Sequence, residues 1–184
     1  TDSTIAAAAA GRSDGARRQP TGVSLPDETD VLQGLRSGHP RLVLTPPEVV
    51  ALRQRIVSDP TTASMYAAVK ARAQALMGQP VLTYDKPDGF RLLETSRAAV
   101  RRMYDLGLVW LVDQDPAIAA RGAAELAAVT AFPDWNPIHF LDTAEMSHAV
   151  GIGYDWLYDA LTPTQRTTIA AALVAKGLPP APDA

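Results

Sequence analysis

Four stretches of helical apolar spacing open on one pattern, a small polar residue followed at once by proline: Thr45-Pro46, Asp59-Pro60, Asp115-Pro116 and Thr162-Pro163. Proline has no amide hydrogen and its φ is preset near the helical value, so it suits the first turn of a helix and breaks one anywhere later. A threonine or aspartate just before it can accept from the unpaired amides of that turn. Each pair therefore predicts a helix start. Two of them extend into capping boxes, Thr45-Pro-Pro-Glu48 and Thr162-Pro-Thr-Gln165, where the fourth residue reaches back to the first.

The apolar spacing after each start is helical. Val49, Leu52 and Ile56 share one face of the first helix; Met65, Tyr66, Val69, Ala73 and Leu76 share one face of the second, which Gly78 ends. A loop containing Pro80, Pro87 and Gly89 leads to a third helix over roughly Leu92 to Val112, whose second half, MYDLGLVWLV, is apolar nearly all round and so predicted to be deeply packed. The fourth helix carries the small-residue run AIAARGAAELAAV, the fifth is expected over Leu141 to Leu161, and the sixth stops at Gly177. Arg41 to Leu44 reads as a short extended segment. No strand pair is apparent, and the abundant alanine favours helix. The expectation is an all-α chain of about three stacked helical hairpins. No heptad persists, so a coiled coil is not expected. An arc of three hairpins leaves its last helix with an open apolar side, so residues 39–184 read as the N-terminal part of a larger α/α domain, an incomplete toroid.

Composition narrows the partners. The net charge is −3 with both signs spread along the chain, which predicts neither a nucleic-acid stripe nor an acidic tail. There is no cysteine, hence no disulfide framework and no thiolate metal site. No apolar run nears the roughly 18 residues of a membrane span. Residues 1–38 lack a sustained period and read as a flexible leader, either the remnant of an export signal or an artificial boundary.

Chemistry-bearing residues concentrate in LDTAEMSHAVGIGYDWLYDAL. At 100° per residue Glu145, His148, Ile152, Asp155 and Asp159 fall on one stripe, and Met146, Val150, Gly153 and Leu157 on another. Gly151 and Gly153 each cost about 1 kcal/mol of helix propensity relative to alanine, which calls for close packing or room for a ligand. Glu145-x-x-His148 has the spacing of carboxylate-bridged metal sites, but those need a second such pair and none is found, so no metal is expected. Glu145 or His148 could serve acid–base chemistry. The alternative is that they pair with each other or hold a neighbouring loop. Glu145 and Asp155 cannot be the two carboxylates of a glycoside hydrolase simply by sharing this helix, since ten helical residues separate them by about 15 Å. In the preceding DWNP loop, Trp135 offers a flat face for a sugar ring or else fills space between hairpins; Asn136 is a natural N-cap, and His139 lies one turn on. No Gly-rich phosphate loop, Gly-x-Ser-x-Gly elbow or His-Glu-x-x-His is present, and no cofactor is expected.

HPRLVLTPPEVVALRQRI, DWNPIHFLDTAEMSHAVGIGYDWLYDALTPTQR and the closing KGL resemble the N-terminal helical domain of heparinase II/III-like polysaccharide lyases, a relationship that includes oligoalginate lyases. The resemblance covers residues from about His39 onward. It implies an α/α toroid followed by a β-sandwich domain, a secreted or periplasmic protein, and β-elimination on uronic-acid polysaccharides. The family's catalytic asparagine, histidines and tyrosine lie in later segments, so no catalytic residue is carried over. Trp135, Asn136, His139, Glu145, His148, Tyr154 and Asp155 are the candidate substrate-binding residues. The competing readings are a non-enzymatic helical-repeat module binding glycan or protein on its concave face, and a glycoside hydrolase on a related toroid.

Overall fold

The computed structural model describes residues 33–178, and every helix among them lies within the unit Arg36–Ala184. The expected leader falls, up to residue 32, outside the described residues, as do the last six positions of the C-terminal sequence GLPPAPDA. Six α-helices follow one another: α1 (Pro46–Ser58), α2 (Pro60–Leu76), α3 (Leu93–Asp113), α4 (Pro116–Thr130), α5 (Phe140–Trp156) and α6 (Pro163–Ala172), with no strand among the described residues.

The four polar–proline pairs are the caps of α1, α2, α4 and α6. Asp59 accepts from the amides of Thr61 and Thr62 at 3.2 and 3.1 Å, and Asp115 from that of Ala117 at 2.8 Å. Glu48 takes both the amide and the hydroxyl of Thr45, and Gln165 exchanges hydrogen bonds with Thr162. The two helices that lack a polar–proline start, α3 and α5, are the ones the interior organises.

These two helices run side by side in the same direction. Leu92 at the head of α3 meets Asp142 at the head of α5, Arg97 meets Glu145, Tyr104 meets His148, and Gly107 lies against Trp156 at the far end. Theirs is the most extensive helix–helix contact. Glycine makes it possible: a Cβ on Gly153 would stand 2.6 Å from Met103 Sδ, and one on Gly107 3.0 Å from Trp156 Cε3. α2 and α4 return antiparallel to α3, with Lys70 against Asp113, Arg72 against Asp105 and Arg102 against Glu125. The core gathers Met103, Leu106, Leu126, Met146, Val150 and Leu157 between these layers.

Three local expectations are corrected. Arg41 to Leu44 is not extended: the chain turns at Val43, φ 66°, with the Leu44 amide donating to the Leu42 carbonyl at 2.7 Å. The amides of Arg41 and Leu42 are both committed to one carboxylate, which forces the bend. The fifth helix stops at Trp156 rather than Leu161. Leu157 is drawn inward, where its side chain lies over Gly122, and the chain continues as a 3-10 turn over Tyr158–Ala160. Arg166 Nε donates to the Tyr158 carbonyl at 3.0 Å, beside the Leu161 amide at 3.2 Å. The sixth helix is regular only to Ala172, and Leu173–Gly177 widen into a π turn that brings Lys176 onto the carbonyls of Thr130 and Phe132.

The long α2–α3 connection is held partly by Asp88, which accepts from the amides of Arg91 and Phe90 at 2.7 and 2.9 Å. These amides, with the Arg91 guanidinium, lower its pKa from 3.8 to about 2. A lowered folded-state pKa means the turn gains its full support above pH 3.8 and loses it as pH falls through about 2. Carboxyl NMR of Asp88 is expected to show a midpoint near 2. An ordinary midpoint would mean that the amides point elsewhere.

Candidate functional site

Three carboxylates are buried on the helices, and each grips a non-helical connection. Glu125 on α4 accepts from Arg102 at 2.6 Å, from Arg121, and from the Leu82 amide at 3.1 Å. The same two arginines also donate to the carbonyls of Gln79 and Pro80, so the 79–82 segment is tied from both sides. Asp142 on α5 accepts from the Leu92 amide and from Asn136 Nδ2, both at 2.7 Å, and from His139 Nδ1 at 2.9 Å. It thereby supplies the cap that α3 lacks in its own sequence. Asp155, 2% exposed, accepts from His39 Nδ1 at 2.6 Å and from the amides of Arg41 and Leu42 at 2.8 Å. Trp156 completes that clasp by donating to the Leu42 carbonyl at 2.9 Å. His39 stacks on Tyr158 at 3.7 Å, with the Arg166 guanidinium 3.9 Å from the Tyr158 ring centroid.

Most of the candidate substrate-binding residues are thereby occupied. Trp135 is 0% exposed; its indole donates to the Val129 carbonyl at 3.0 Å and its ring lies against Gly177. It fills space between hairpins and has no open face for a sugar. Asn136 is not an N-cap, since α5 starts at Phe140. It sits at φ 58°, donates to the Phe90 carbonyl at 2.8 Å as well as to Asp142, and accepts from Lys86 at 2.8 Å. His139 is half-buried on Asp142 with Phe90 at its edge. Tyr154 is half-buried, edge-on to His39 and Tyr158, and backs the Asp155 clasp. Asp155 is fully engaged.

Glu145 and His148 remain accessible, and they do not pair with each other. Glu145 lies 3.7 Å from Arg97 Nε, and His148 Nε2 is 2.9 Å from the Tyr104 hydroxyl. Tyr104 in turn stands edge-on to Trp156, 5.3 Å between centroids, which fixes its ring. No three His, Asp or Glu side chains converge on a common point among the described residues. No helix among them is long and apolar enough to cross a membrane. On the other side of Tyr104, an open groove of about 660 Å³ runs between α2 and α3, lined by Arg72, Gln79, Arg101, Arg102 and Asp105. Arg72 is engaged there by Asp105 through Nε at 2.9 Å and Nη2 at 2.7 Å. The seam residues Arg97, Arg101 and Tyr104 went unmarked in the sequence. Their one signal was a polar stripe at i, i+4 and i+7 on the helix.

The sequence matches no protein-family model, and no curated protein matches it.

Proposed function

We propose that this chain is the N-terminal helical part of a polysaccharide lyase resembling heparinase II/III enzymes, which cleaves uronic-acid polymers by β-elimination in the full-length protein. The observation that carries the reading is the parallel packing of α3 and α5 with α4 returning antiparallel between them in sequence. Successive inner helices of an α/α toroid need that arrangement. The resemblance of LDTAEMSHAVGIGYDWLYD to this family points the same way.

In such a reaction the uronate carboxylate is neutralised, a base takes the C5 proton, and an acid protonates the oxygen leaving C4. Polar groups facing the carboxylate stabilise the developing enolate-like charge. The buried carboxylates Glu125, Asp142 and Asp155 hold loops, and the Tyr104 hydroxyl and His148 imidazole are hydrogen-bonded to each other. The resemblance implies that the acid and base lie in later toroid helices and the sandwich domain, which leaves residues 39–184 as scaffold and cleft wall.

The 184-residue chain alone is expected to release no unsaturated uronate from alginate, polygalacturonate or a heparan-type polymer. The reading frame beyond Ala184 is expected to encode an Asn-His pair, further tyrosines and then strand-rich sequence. Elimination by the isolated chain would overturn the placement of the acid and base. A frame without those features would overturn the lyase reading in favour of a helical-repeat binding module.

A further inference from the structure

The two glycines of α5 differ in their surroundings. Gly153 is enclosed by Met103 and Leu126, whereas nothing lies within 4 Å of where a Cβ on Gly151 would stand. Glycine is the poorest helix former after proline, and here no neighbour requires it. What it leaves is a bare stretch of helix backbone on the stripe shared with His148 and Asp155. One turn earlier stands the Tyr104–His148 pair. One turn later Asp155 pins the His39–Leu42 strap, and the strap ends in Val43, a β-branched residue at φ 66° and 70% exposed. That conformation is strained for valine, and such strain collects at functional sites. Beyond Tyr104 the surface opens into the α2–α3 groove, whose rim carries Arg101.

Charge on this surface is nearly balanced. Arg97 faces Glu145 and Arg72 faces Asp105, while Arg101 has no acidic partner among the described residues. One guanidinium is left to receive a carboxylate, in a planar fork that suits it. Gly151 and Arg101 stand on either side of the Tyr104–His148 pair, roughly 9 Å apart along the helix axes. The pair itself offers hydroxyl and imidazole groups that donate and accept, as a polyhydroxylated ring requires.

We propose that the strip formed by Gly151, the Tyr104–His148 pair and Arg101 is a binding subsite for a short acidic oligosaccharide, with a sugar ring lying over the bare Gly151 backbone and a carboxylate directed to Arg101. The choice of uronates rests on the lyase reading; the location of the subsite does not.

The test separates stability from binding. Size-defined oligouronates from alginate and from polygalacturonate, with neutral cello-oligosaccharides as controls, are titrated into the 184-residue chain at low salt and followed by amide NMR and calorimetry. Uronates are expected to bind, to shift the amides of residues 148–152, and to weaken as salt rises. Gly151→Leu has room for its side chain and should raise Tm by about 2 °C through helix propensity. It should weaken uronate binding by about tenfold or more. Arg101→Ala should weaken uronate binding and leave Tm unchanged. Absence of uronate binding at millimolar concentration, equal binding of the neutral sugars, or full affinity in Gly151→Leu would each overturn the subsite. A full-length protein that performs elimination while its isolated helical part binds nothing would overturn the subsite alone. Oligouronate binding here with no elimination by the full-length protein would overturn the lyase reading alone.

Discussion

Glu125→Gln is expected to destabilise the chain by about 3 kcal/mol, read as a fall in the urea midpoint at constant m-value. The substitution keeps the side chain's shape and removes only its charge, so no cavity enters the comparison. Glu125 is 1% exposed and holds Arg102 and Arg121, whose side chains keep 16% and 10% exposure. Removing one member of a buried ion pair commonly loses about 3–5 kcal/mol, because a charge is left without its partner. The lower end applies here, since water can still reach part of each guanidinium. The double variant Glu125→Gln/Arg121→Gln should lose clearly less than the sum of the two single changes, because the second removes a charge that the first stranded. Amide exchange at Leu82, whose N–H donates to Glu125, should accelerate with the single change. A loss under about 1 kcal/mol would mean that the cluster is hydrated and that the 79–82 segment is held by its carbonyl contacts instead.

Sequence reasoning reached the elements whose causes are local and missed those whose causes are not. The caps of α1, α2, α4 and α6 are made between residues two or three apart, so the proline pairs locate them without knowledge of the fold. Asp142, by contrast, caps α3 from 50 positions away, and Asp155 bends the strap from 113 and 114 away. No window of sequence contains both partners. The same separation explains the candidate site. Trp135 and Asn136 looked available because their claims on Val129, Phe90 and Lys86 depend on how hairpins pack. His148 was visible as a candidate, but Tyr104, 44 positions earlier, becomes its partner only once α3 and α5 lie parallel. Helical periodicity did separate the two glycines, placing Gly153 with Met146, Val150 and Leu157. It could not show that Gly151 faces open space, because that depends on what the neighbouring helices leave uncovered.

Gly153→Leu should have the opposite effect to Gly151→Leu, two residues away on the same helix. A single added carbon at Gly153 already meets Met103 Sδ at 2.6 Å and Leu126 Cδ2 at 2.8 Å, one from α3 and the other from α4. Leu126 Cδ2 ends its side chain and Met103 Sδ lies one atom from the end of a flexible one, so Gly153→Ala can be absorbed by rotation and should lose about 1 kcal/mol. Leucine brings three more carbons into a region where Met146, Ala149 and Val150 are fully enclosed and cannot yield. Relief then requires α3 and α5 to part, which also stretches the Tyr104–His148 and Arg97–Glu145 contacts across their seam. A loss of about 3 kcal/mol or more is expected, at or beyond the upper end for overpacked cores. For a chain of this length that corresponds to a fall in Tm of about 6–12 °C. Because the helix gains propensity from either leucine, the difference in sign between the two variants isolates packing from backbone effects. A neutral Gly153→Leu would place α3 farther from α5 than the structure does, and the Tyr104–His148 pair could not then form across the seam.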